Sequence, residues 1–124
     1  MQSIAEKYGV QESNGLENGH GYHAGVDYAD QITLAELAAR GGKISRVRIL
    51  TGSWAGQKMA DISYIHATLP SGQVVPINVT GNVMGVPLWG PKGLKARFIE
   101  WAKEEGVFAK GLGLLDESNW SVLY

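Results

Sequence analysis

Residues 43–79 constrain the fold more than any other stretch, because turn chemistry and apolar alternation each specify the same hairpin register there. Pro70-Ser71-Gly72 has the chemistry of a three-residue hairpin loop, with proline early in a type I turn and glycine at the left-handed position. That loop pairs Leu69 with Gln73, and counting back sets Ala67 opposite Val75 and Ile65 opposite Ile77. The apolar residues of both strands then share one face, whereas a slip of one residue sets Ile77 against His66 and breaks it. Tyr64, His66 and Thr68 alternate to the opposite side, together with Ile62 and Val74. Because these last two are apolar, the sequence reads His66 as a covered residue of the interior.

The strand before this hairpin, residues 43–51, points Ser45, Val47, Ile49 and Thr51 one way and Arg46, Arg48 and Leu50 the other. Pro76 has no N–H for a ladder, so residues 73–79 are expected at a sheet edge. Two helices are legible from their ends. Thr33 with Glu36 three residues on makes a capping box, Ile32 and Leu37 a staple, and Gly41 a stop. Leu94, Phe98, Trp101 and Ala102 form the apolar stripe of a helix between Pro91 and Gly106. A short helical turn is expected at residues 3–8, a last strand at 120–124, and a long loop or flexible arm at residues 11–25, where glycine is dense. Residues 82–93 form a loop whose apolar side chains either cross the core or face a partner. The expected fold is α+β: a small antiparallel sheet of three or more strands, with a central hairpin at 59–79, packed with two or three helices.

A chain of 124 residues with 44% hydrophobic and 19% charged content makes one domain with a core of its own. Absence of cysteine excludes disulfides, thiolate metal sites and cysteine nucleophiles. No apolar run reaches the length of a membrane span and the N-terminus lacks the order of a signal peptide, so a cytoplasmic protein with no membrane contact is expected. The net charge of −1 hides a polarised chain. Residues 1–39 carry six acids against Lys7, whereas residues 40–58 carry Arg40, Lys43, Arg46, Arg48 and Lys58 and no acid. Such a distribution suits electrostatic steering of a partner, or mutual neutralisation of two packed segments.

Chemistry is sparsely signalled. His20 and His23, near Asp27 and Asp30, are the candidate metal ligands, but three-residue spacing in a glycine-rich loop fixes no common face, so no metal and no cofactor are expected. Gly19-His20-Gly21-Tyr22-His23-Ala24 has the letters of a dinucleotide fingerprint without the strand and helix that the fingerprint needs. No phosphate-binding loop or nucleophile elbow is present, and no spacing pairs carboxylates. The reading therefore leans against an enzyme, an active site on His20, His23 and Asp27 being the third alternative.

Binding is the better-supported class. Arg46 and Arg48 lie on one strand face, with Trp54 and Lys58 beyond them, and Trp89 sits in the apolar loop; these five are the candidate partner-binding residues. Residues 47–56, Val47-Arg48-Ile49-Leu50-Thr51-Gly52-Ser53-Trp54-Ala55-Gly56, resemble the strand–loop core of the KOW motif of RNA-associated SH3-like barrels, departing from it at Met59. That resemblance implies a nucleic-acid-binding module built on residues 43–58. The leading expectation is a small non-enzymatic regulator or inhibitor, of the type carried by phages and plasmids against host defences. It would cover a functional surface of a larger protein or nucleoprotein, and the slightly acidic chain favours a protein partner over nucleic acid.

Overall fold

The structure is a computed structural model and describes residues 30–79 and 85–123. The segments expected at 3–8 and 11–25, with His20, His23 and Asp27, lie outside the described residues, as do Val83 and Met84 of the apolar loop. In chain order the elements are α1 (Leu34–Ala39), β1 (Lys43–Trp54), β2 (Gln57–Thr68), β3 (Val74–Pro76), β4 (Val86–Pro87), α2 (Leu94–Glu104) and β5 (Trp120–Leu123). They form a five-stranded sheet in the order β3-β2-β1-β5, with β4 also paired to β2. The hydrophobic cluster joins both helices to the sheet residues Val47, Ile49, Ile62, Ile65, Val75 and Ile77.

The hairpin register at the Pro70-Ser71-Gly72 turn is as the alternation requires. Ala67 pairs with Val75 and His66 with Pro76, and the Ile77 N–H donates to the Ile65 carbonyl at 2.8 Å. Gly72 takes the left-handed conformation at φ 90°. Pro76 lies on the outer strand, and its carbonyl accepts from Ile32 N–H at 3.0 Å in a single parallel bridge. The missing proline N–H therefore costs no ladder bond.

The dominant hairpin is a different one from that expected at 59–79. β1 and β2 are each twelve residues long and pair from Lys43↔Thr68 to Trp54↔Gln57. β1 runs three residues past the expected end at Thr51, and β3 contributes only three. Two bulges explain why alternation hid this. Between Ile44↔Ala67 and Arg46↔His66, β1 has one extra residue, Ser45; between Arg48↔Tyr64 and Ile49↔Ile62, β2 has one, Ser63. Each bulge reverses the alternation of its strand. Ile44, Val47, Ile49 and Thr51 consequently face the helices opposite Ala67, Ile65, Ile62 and Ala60. Ile62 thus joins the core, not the His66 face, and Ser45 is exposed.

The sheet is not fully antiparallel. β5 pairs with β1 in parallel, from Val47↔Trp120 to Leu50↔Leu123. Side-chain bonds hold it there: Asn119 Nδ2 donates to the Ile44 carbonyl at 3.2 Å, Trp120 Nε1 to that of Leu114 at 3.1 Å and Thr51 Oγ1 to that of Leu123 at 2.9 Å. The expectation of an antiparallel sheet failed because strand direction depends on where the intervening chain returns, which local patterning does not encode.

The helices end as their caps dictate. Glu36 N–H donates to Thr33 Oγ1 at 3.0 Å, and Thr33 N–H returns a bond to Glu36 Oε1 at 3.4 Å. Leu94, Phe98, Trp101 and Ala102 are all buried on the inner face of α2. The β1–β2 turn is tight: Ala55 at φ 51° and Gly56 at φ 77° are both left-handed, as a two-residue primed turn requires. Alanine is disfavoured in that conformation by about 1 kcal/mol, whereas asparagine tolerates it. Ala55→Asn is expected to raise stability by about 0.5–1 kcal/mol, read as a higher urea midpoint at constant m value.

Candidate functional site

The alternation that sends Val47 and Ile65 inward sends Arg46, Arg48, Tyr64 and His66 to the opposite face of the same hairpin. Arg46 lies across from His66 and Arg48 across from Tyr64. Tyr64 and His66, two apart on β2, stack with ring centroids 4.4 Å apart and planes 18° from parallel. Both are interior residues, 2% and 5% exposed, as the covered reading of His66 required. The Arg46 guanidinium lies over the Tyr64 ring at 5.5 Å and that of Arg48 at 5.8 Å. One aromatic ring thus serves as a floor for two cations, each held by attraction to its π face.

Neither arginine has an ion-pair partner among the described residues. Arg46 is exposed and Arg48 half-buried, so the guanidinium N–H edges remain available to an anion. Farther along this face Leu50 pairs with Asp61, both buried, and Gly52 pairs with Met59. Trp54 ends β1 on the same alternation and is 58% exposed at the hairpin tip. Arg46 and Arg48 share one face, as expected, and Trp54, expected at the tip of the turn, lies on that face too.

The other two candidates go elsewhere. Lys58 pairs with Ser53 near the tip, one step out of phase with Trp54. Its carbonyl accepts from Leu88 N–H at 2.9 Å, which ties the apolar loop to the hairpin. Leu88 is buried, so the loop does cross the core. Trp89 beyond it is 54% exposed and stacks on Trp120 at 6.3 Å, on the helix side of the sheet. Trp120 in turn meets Phe98 edge-on at 5.6 Å. Trp89 is thus the outer member of an aromatic stack that starts in the core.

Sequence reasoning separated Tyr64 and His66 from the arginines because it treated the two strands one at a time. No local signal marks Ser45 and Ser63 as bulge residues, because a bulge is set by the strand across from it. Among the described residues no cluster of histidine and carboxylate side chains is arranged to hold a metal, and no helix is long and apolar enough to cross a membrane. The resemblance of residues 47–56 to the KOW motif extends to a strand–turn–strand, but the sheet path ends at β3 and at a parallel β5. Compared with known proteins, the chain matches no family model, no curated protein and no solved structure.

Proposed function

We propose that the protein is a non-enzymatic binding module, a small regulator or inhibitor that covers a functional surface of a larger protein or nucleoprotein. The observation that carries this reading is the pair of guanidinium groups ordered on the Tyr64 ring with no carboxylate neutralising them among the described residues. A cation already held in place gives up little side-chain freedom on meeting an anion, so its contribution to binding is retained. Trp54, half-exposed on the same face, supplies the large apolar contact that interface hot spots favour. An acidic protein surface suits both features, and inhibitors of the kind carried by phages and plasmids are often of this size. Nucleic-acid phosphate is the second reading, favoured by the same two arginines.

Capture of partners from lysate, with and without nuclease, distinguishes the two. A protein partner survives nuclease treatment; a partner lost on treatment favours the nucleic-acid reading. With the partner in hand, Arg46→Glu with Arg48→Glu is expected to slow association about tenfold and to flatten its salt dependence, since rim charge acts mainly on encounter. Trp54→Ala is expected to speed dissociation instead. Undiminished binding by both variants would remove this face from the reading.

A further inference from the structure

The strongest unpartnered apolar feature lies just past α2. Gly106, left-handed at φ 77°, stops the helix, and two residues later Phe108 is 88% exposed. This is not a loose end. Val107 N–H donates to the Ala102 carbonyl at 2.9 Å, the Phe108 carbonyl accepts from Leu112 N–H at 3.3 Å, and Leu114 N–H reaches the Ala109 carbonyl at 3.1 Å. Val107 packs against the core on one side and Ala109 is buried on the other. The backbone is pinned on both sides of a phenylalanine that points away from it.

Phe108 also divides two grooves. One, of about 360 Å³, runs along the outer side of α2 and is lined by Ile99, Val107 and Leu115, with Lys103 and Lys110. The second, of about 370 Å³, lies between Phe108 and the end of α1, with Ala38, Leu112 and Lys43 in its walls. Each is large enough to take side chains of a partner. Among the described residues the two linings contain three lysines and no aspartate or glutamate. Lys103 and Lys110 have no ion pair among the described residues, whereas the Lys43 ammonium donates to the Gly111 carbonyl.

We infer that Phe108 and its two grooves form a second docking surface, separate from the arginine face, for an acidic protein segment that carries bulky apolar side chains. Charge decides the occupant. A second copy of this chain, meeting the first through a two-fold axis, would bring these lysines against themselves, and like charges so placed oppose association. A nucleic-acid backbone satisfies the lysines but gives the apolar walls nothing to bury. A peptide with an apolar residue flanked by aspartate or glutamate satisfies both. The rigid mounting of Phe108 means that little ordering is required on binding.

The test is selection from a display library of short random peptides against the intact protein, with Phe108→Ser and Lys103→Glu/Lys110→Glu as counter-targets. The expected result is enrichment of sequences that combine Phe, Leu, Ile or Trp with Asp or Glu. Chosen peptides should lose at least tenfold in affinity on either counter-target and shift the amide resonances of residues 99–115. Side chains this exposed are expected to be replaceable without change in melting midpoint, which verifies that the variants are folded. No enrichment over Phe108→Ser, or enrichment of basic sequences, would overturn the inference. So would a dimer in sedimentation that Phe108→Ser dissolves, since the surface would then belong to a second copy. Displacement of the chosen peptides by a single-stranded oligonucleotide but not by free peptide of the same sequence would overturn it in favour of nucleic acid.

Discussion

Replacement of Trp101 by alanine is expected to destabilise the protein by about 3–5 kcal/mol, the range for emptying a large buried aromatic site. The side chain is 1% exposed in the middle of α2 and lies 6.3 Å from Phe98, centroid to centroid. Native domains are stable by only about 5–15 kcal/mol, so this one change removes a large part of the total. The indole N–H is buried without an acceptor among the described residues. Its removal therefore forfeits packing and no hydrogen bond, and Trp101→Phe, which keeps most of the ring, should cost far less than Trp101→Ala. Urea unfolding of both variants checks this, and equal midpoints for alanine and wild type would show that the inner face of α2 has been misassigned.

Gly93→Ala is expected to cost about 1–3 kcal/mol, as overpacking does. The cause is space, because Gly93 has φ −81° and ψ −169°, which any residue can adopt. A Cβ there would lie 2.8 Å from the Trp89 carbonyl carbon and 3.0 Å from the carbonyl oxygens of Trp89 and Gly90. These atoms belong to the turn that Gly93 N–H itself closes on the Gly90 carbonyl at 3.0 Å. A side chain in the way could rotate aside, but this turn must open as a unit and carry Trp89 off Trp120. The measurement is a melting midpoint together with tryptophan fluorescence. A full midpoint with an unchanged emission maximum would mean that the turn accommodates the methyl group.

What the sequence made legible was what neighbouring residues decide among themselves. The Thr33–Glu36 capping box, the stop at Gly106, the stripe from Leu94 to Ala102 and the turn at Pro70-Ser71-Gly72 all involve groups a few residues apart, and all stand as read. The β1–β2 hairpin was obscured because a bulge is defined by the strand across from it. Neither Ser45 nor Ser63 announces that it will be the extra residue of a bulge. The parallel course of β5 was invisible for a similar reason, since it rests on Asn119 and Thr51 reaching backbone groups more than 70 residues away. For the binding face, strand alternation sufficed to group Arg46 with Arg48, but that Tyr64 lies beneath both required the register. Phe108 reads in sequence as one more apolar residue of a glycine-rich tail. Only the hydrogen bonds around it show that it is held outward.

The parallel pairing of β5 also orders events in time. β2 follows β1 across a two-residue turn, so one flank of β1 is covered soon after both have been synthesised. The other flank waits for residues 120–123, and the bond from Thr51 to Leu123 joins positions 72 residues apart. Contacts so distant form late, and an open strand edge invites pairing with another chain in the interval. A nascent chain stalled between α2 and β5 would thus have its helices and long hairpin in place yet present a sticky border to its neighbours. The free border of β1 closes only when residues 120–123 reach it.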